Sequence, residues 1–241
     1  MAQAAHMPYV GEELGLFEYA QNWKHYFASR LKPYFRGEVC EVGAGTGTTT
    51  KVLCDGTSQR WVGLEPDPAL VDQFKQRIES EPLPMPVDIR VATLSDVPEN
   101  EVFDTIIYID VLEHIEDDRG ELENAAGHLK PQGRIVVLCP AHPWLYSPFD
   151  EALLHYRRYN RRMYREVTPH KLRLDECYYL DAVGLLASSG NRFFLSQSKP
   201  TVRQIKTWDR YMVPVSRVID PLIGRNLGKT VVGVWVKAGE K

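Results

Sequence analysis

Residues 38–50 read EVCEVGAGTGTTT, an apolar β-type run that ends in an acid and then in three glycines at alternate positions, Gly43, Gly45 and Gly47. Glycine tolerates positive φ and lets a ligand touch backbone where a Cβ would stand in the way. A strand feeding such a turn is the layout that holds nucleotide-like ligands at the carboxyl end of a parallel sheet, with free N–H groups at the start of the next helix. Three ligand chemistries compete for it. A phosphate-binding P-loop would need Gly-Lys-Ser or Gly-Lys-Thr at a set distance, and none follows. A dinucleotide fingerprint would need GxGxxG, and Thr48 stands where its third glycine belongs. Glu41, just before the first glycine, would repel a pyrophosphate but could pair with an amino group. Roughly 20 residues further on, at the spacing of a ribose-binding acid, WVGLEPD puts Glu65 at the end of a second strand. An acid on either side and no phosphate cradle suit a ligand with an adenosine at one end and a cationic amino-acid tail at the other. S-adenosylmethionine has that shape, and S-adenosylhomocysteine would be its product.

A second set of candidates lies after residue 140. Methyl transfer from a sulfonium is an in-line displacement, so alignment supplies most of the catalysis. An oxygen nucleophile also needs a proton acceptor, for which histidine has the suitable pKa. His142 and His155 qualify as catalytic candidates, with Asp150 as a partner. His155 opens HYRRYNRRMYREVTPHKLR, which holds six arginines and one lysine against a single glutamate. Guanidinium forks suit carboxylate and phosphate, so this run is either a solvated, internally paired face or a site for an anionic acceptor. In DVLEHIEDD, Glu113 and His114 read as a helix start, and Glu116, Asp117 and Asp118 as its solvated acidic first turn.

The elements that must position these residues follow from periodicity. Apolar residues at helical spacing predict helix within Gly11–Arg36. After it, strands are expected at Glu38–Val42, Arg60–Leu64, Asp88–Val91, Phe103–Ile109 and Arg134–Leu138. Helices are expected at Thr46–Leu53, Pro68–Ser80 and Asp117–Leu129. Continuous apolar strands such as FDTIIYI and RIVVL, separated by helices, mean a mostly parallel sheet covered on both faces. Beyond Pro140 an irregular, Pro- and Arg-rich cover leads to a strand near Lys171–Tyr179, a mostly helical stretch to Arg225, and a closing strand Lys229–Val236. The expected organisation is one domain: a helical cap at 1–36, a cofactor core at 37–139, an acceptor-side cover at 140–228, and a closing strand at 229–237.

Bulk composition excludes more than it selects. The chain has 241 residues, is 44% hydrophobic and carries net charge −3, so no global field favours nucleic acid or membrane. No apolar run reaches the roughly 18–20 residues of a spanning helix, and the N-terminus lacks the pattern of a secretory signal. A cytoplasmic location is expected. Cys40, Cys54, Cys139 and Cys177 stand far apart, without metal-ligand spacing to a histidine, and read as core residues of a reduced protein; no metal is expected. The amphipathic run from Tyr178 to Gly224 reads as core, acceptor lid or dimer face, and the mixed charges on its polar face argue against membrane-surface binding.

Taken together, EVCEVGAGTG, VGLEPD, FDTIIYIDVLEHIEDD and LKPQGRIVVLCPAHPWLYSPFD resemble the class I S-adenosylmethionine-dependent methyltransferases. SPFDEALLHYRRYN and LGKTVVGVWVK are similar to a subgroup with GHxRRY and G-x-S motifs, from which Leu154, Gln132 and Thr230 depart. The resemblance implies a Rossmann-like, doubly wound α/β fold with a seven-stranded sheet and one antiparallel strand near the C-terminus. It implies Glu41, Gly43, Gly45 and Gly47 around the methionine moiety and sugar, Glu65 on the ribose, Thr93 and Leu94 at the adenine, and Asp110 near the sulfonium. It also assigns His155 to the active-site cover and Arg157, Arg158 and Tyr159 to the acceptor. The expected activity is O-methylation of a sugar-containing or other natural-product hydroxyl. N- or C-methylation, a non-catalytic cofactor-binding subunit and an NAD(P) oxidoreductase are the alternatives.

Overall fold

The computed structural model describes residues 15, 17–190 and 200–239. Parts of the expected N-terminal helix (11–14 and 16) and of the C-terminal amphipathic run (191–199) lie outside the described residues. Seven strands form one sheet in the order β3-β2-β1-β4-β5-β7-β6. They are β1 (Glu38–Val42), β2 (Arg60–Glu65), β3 (Val87–Val91), β4 (Phe103–Ile109), β5 (Leu129–Pro140), β6 (Leu172–Leu180) and β7 (Thr230–Lys237). β7 runs antiparallel to both of its neighbours, β5 and β6, while the pairings among β1 to β5 are all parallel.

The apolar runs are continuous because both faces of the sheet are buried. Ile106 and Tyr108 face one core cluster with Val137 and Trp235; Ile107 faces the other with Val136, Leu138 and Trp61. Alternation along the strand assigns each residue to its face. Since β1, β2 and β4 are parallel and paired in register, their carboxyl ends, Val42, Glu65 and Ile109, emerge at one edge of the sheet. There β1 lies between β2 and β4, the switch point at which such sheets open a crevice for ligands.

Helices cover both faces: α1 (Gln21–Leu31), α2 (Thr50–Leu53), α3 (Pro68–Ser80), α4 (Asp118–Gly127), α5 (Pro148–Ala152), α6 (Arg161–Glu166), α7 (Ala182–Gly190), α8 (Val202–Thr207) and α9 (Val213–Leu222). The π-helical turn Trp208–Met212 joins α8 to α9. α3 keeps its expected bounds because Asp67 caps it through Ala69 N–H and Pro68 fits its first turn. α2 is shorter than the expected Thr46–Leu53: residues 46–49 are turns, so a single helical turn follows the glycines and no extended dipole points at a ligand. The start of α1 has no side-chain cap of its own. Asp209, far along the chain, accepts from Asn22 N at 3.1 Å and Trp23 N at 2.8 Å.

Candidate active site

A cavity of about 1470 Å³ lies along the carboxyl edge of the sheet. That is more than one drug-sized ligand fills, typical ligand pockets being about 300–1,000 Å³. Gly43, Ala44, Gly45 and Thr46 form one wall, Glu65 and Thr93–Leu94 the next, and Asp110 with Glu113 a third. All three loop glycines have positive φ, but they serve different ends. A Cβ on Gly43 would lie 2.4 Å from Val111, and one on Gly47 would lie 2.7 Å from the Phe74 ring of α3. Gly47 is absent from the cavity wall, so its bareness lets α3 pack. Gly45 N donates to Glu65 Oε2 at 2.9 Å and Asp67 N to Oε1 at 3.0 Å, which ties the loop to the end of β2. Burial pushes the Glu65 carboxyl up, against those two hydrogen bonds. Thr46 Oγ1 is buried in the same wall without a partner, a polar atom suited to a ligand.

Glu41 sits behind this wall. Its carboxylate accepts from Thr50 Oγ at 2.7 Å and Trp61 Nε1 at 3.0 Å, and it does not line the cavity. Burial raises it to about 7, opposed by those two donors. Its influence on a cationic ligand is therefore through the field rather than by contact.

The far side is built by the cover. Asp150, fully buried, accepts from His155 Nδ1 at 3.0 Å and from Arg158 Nε and Nη2 at 2.7 and 2.9 Å, and caps α5 through Ser147. Burial works against the charge, but the hydrogen bonds from His155 and Arg158 hold Asp150 down at about 2. An ionised Asp150 fixes His155 with Nδ1–H toward it, leaving Nε2 free to accept a proton. The His114 ring packs edge-on against His155 at 4.6 Å, and burial lowers His114 to about 4. Asp110, at φ 53, is solvent-exposed within the cavity. The surrounding walls nonetheless desolvate its carboxyl and raise it to about 6, with His155 and Lys229 opposing.

Glu113 is the residue the sequence reading underrated. Instead of starting a helix it lies in a 3₁₀ turn, 0% exposed, and neither carboxylate oxygen has a partner. Tyr156 N donates to its backbone carbonyl at 2.8 Å, so the cover closes over it. Among the described residues, Glu113, His114 and His155 offer ligand atoms within 4.8 Å of one another, a set able to hold a divalent cation. No sequence spacing signals it, because His155 comes from a different segment.

Other candidates are spent elsewhere. His142, at φ 66, bonds the Gly228 carbonyl at 2.9 Å, stacks on Tyr179 at 5.0 Å and is absent from the cavity wall. Of Arg157, Arg158 and Tyr159, only Arg158 lines the cavity. Arg157 pairs with Asp118 at 2.6 Å, and buried Tyr159 donates to the same carboxylate at 2.7 Å. Asp118 is thus buried rather than solvated. Arg161 bonds Asn226 and the Arg225 carbonyl, and Arg162 pairs with Glu166. The arginine run is therefore largely an internal scaffold. The cavity gains cations that the sequence reading missed: Lys24, lowered to about 8 by burial, and Lys229, lowered by burial although Asp181 lies 3.6 Å away.

The family of methyltransferase domains matches residues 40–135. The matched stretch runs from β1 into β5 and carries the glycine loop, Glu65 and Asp110. It is 39% identical over 105 residues to a ubiquinone biosynthesis O-methyltransferase of Paramagnetospirillum magneticum, covering 44% of this chain and 41% of that one. It is 29% identical over 137 residues to a demethylmenaquinone methyltransferase of Tropheryma whipplei, covering 56% and 55%. The chain spans about half the length of the curated relatives it matches. In structure it is similar to Haemonchus contortus phosphoethanolamine N-methyltransferase 2 in complex with S-adenosyl-L-methionine, at TM-score 0.62 and 15% identity over 94% of this chain and 57% of the other. That likeness concerns the fold alone.

Proposed function

We propose that this protein transfers the methyl group of S-adenosylmethionine to a hydroxyl of a small natural-product acceptor. The observation that carries the reading is one continuous cavity running from the glycine loop and Glu65 to the Asp150–His155 pair. When bound, S-adenosylmethionine would supply a sulfonium-borne methyl group whose carbon an oxygen can attack, with S-adenosylhomocysteine as the leaving group. Gly43 and Gly45 give backbone access to it, Glu65 receives its ribose hydroxyls, Thr93 and Leu94 border its adenine, and Asp110 lies toward its cationic centre. Opposite them, His155 Nε2 takes the acceptor's hydroxyl proton while Asp150 steadies the ring.

The rest of the wall, with Phe27, Leu145, Phe149, Ile205, Trp208 and Met212, favours an acceptor with an apolar body. The relatives' names, which concern ubiquinone and menaquinone, agree with a small-molecule acceptor, and the first of them specifies oxygen. Lys24 and Lys229 would suit an anionic substituent. Labelled-methyl transfer to a panel of hydroxylated aromatics and glycosides tests the reading. His155→Ala should lower kcat about 10²–10⁴-fold, the usual contribution of such a base, while the Kd for S-adenosylhomocysteine stays unchanged. Undiminished turnover would remove His155 from this role.

The unpartnered carboxylate of Glu113 favours a second route to the same product. Burial and the neighbouring Asp110 push that carboxyl up. Glu113, His114 and His155 would hold a divalent cation, which would supply Lewis-acid activation of the acceptor hydroxyl. Chelator-stripped enzyme separates the routes: activity lost and restored by Mg²⁺, Mn²⁺ or Zn²⁺ selects the cation, and activity retained selects His155 as the base.

A further inference from the structure

The segment Val202–Leu222 carries four exposed cations, Arg203, Lys206, Arg210 and Arg217. Its two acids, Asp209 and Asp220, are 5% and 0% exposed. Asp209 caps α1, and Asp220 accepts from Tyr26 Oη, Asp181 N and Ala182 N. The mixed charge seen in the sequence therefore separates by depth, and what faces water is purely basic. Among the described residues, no carboxylate forms an ion pair with any of the four cations.

Beside these cations runs an apolar row. Tyr211, Val215, Val218 and Leu222 are 60%, 47%, 63% and 80% exposed and recur at helical spacing. On α7, a helix packed against α9, Leu186 is also exposed. Three occupants compete for such a face. A second copy of the chain would bring like cations together across a two-fold axis. A nucleic acid would match the cations but leave the apolar row unused. An anionic lipid surface satisfies both rows at once, phosphates meeting the cations while the apolar side chains enter the interface.

We propose that the outward face of Val202–Leu222 docks the protein on an anionic membrane surface. The same segment walls the cavity through Ile205, Trp208 and Met212, and exposed Arg203 and Gln204 also line it. Docking thus places part of the cavity rim beside the lipid, a route for an apolar acceptor. Docking itself does not depend on the methyl-transfer reading.

The test is flotation of the full chain with vesicles of phosphatidylcholine alone or mixed equally with phosphatidylglycerol, at low and high salt. Binding to the anionic vesicles, weakened by salt and at least about tenfold weaker to the neutral ones, is expected. Arg210→Gln with Arg217→Gln should weaken it about 30-fold, and Val218→Asp with Leu222→Asp should abolish it. These are surface changes, and S-adenosylhomocysteine affinity should stay at the wild-type value in both variants. Equal binding to both vesicle types, or binding indifferent to either double variant, would overturn the proposal. So would a concentration-dependent dimer that Val218→Asp dissociates, which would give the face to a second copy.

Discussion

Replacing Glu41 by glutamine should stabilise the ligand-free protein at neutral pH and leave it unchanged in acid. In the unfolded chain a glutamate loses its proton near 4.5; burial in β1 holds Glu41 to about 7. Because the folded value is the higher one, the folded state binds more protons between these limits. Stability is therefore fully present below 4.5 and falls as pH rises through 7. The gap is about 2.5 pH units at about 1.4 kcal/mol each, or about 3 kcal/mol, a sizeable part of the 5–15 kcal/mol that holds a typical domain. A glutamine whose carbonyl takes the place of Oε2 still accepts from Thr50 and Trp61 and has no proton to lose. Urea unfolding of Glu41→Gln and wild type at a pH below 4.5 and one above 7 measures the difference directly. Equal stability above pH 7, or a variant that loses stability with pH as the wild type does, would refute the reasoning.

Two glycines make further tests. Gly47→Ala places a methyl 2.7 Å from Phe74 at φ 78 and should cost about 1–3 kcal/mol in the same unfolding assay. Gly228→Ala meets backbone rather than a side chain, its Cβ lying 2.1 Å from the Leu180 carbonyl oxygen. It should prevent a stable fold, seen as loss of the cooperative transition, because neither β6 nor the approach to β7 can yield without breaking their pairing.

The sheet was legible because burial on both faces leaves runs such as FDTIIYI with no polar alternation, and α3 because Asp67 and Pro68 mark its start. What could not be read is where charges find partners. Asp118, Asp209 and Asp220 look like solvated helix acids, yet each is buried by a partner distant in sequence: Tyr159, Trp23 and Tyr26. The same holds for the arginine run, whose composition suggests an anion site while Asp118, Asp150 and Asn226 consume much of it. Glu113 is the converse case. Its sequence context is that of a helix start, and only the returning cover, through Tyr156 and His155, makes it a buried acid.

Glu41 and Glu65 lie on or just behind one wall, and burial raises both. The protein thus keeps carboxyl groups near a ligand surface under conditions that discourage their charge. A cationic ligand reverses this, since a nearby positive charge favours the ionised form. Binding of S-adenosylmethionine near pH 7 should therefore expel a fraction of a proton, mostly from Glu41. The dinucleotide NADH, whose pyrophosphate is anionic, should expel none. Calorimetric titration in two buffers of different ionisation enthalpy reads this release as a difference in apparent binding heat, and Glu41→Gln should erase most of it. Release that persists undiminished in Glu41→Gln would place the titrating group elsewhere. Proton uptake on binding would contradict the cationic complementarity from which the cofactor was first inferred.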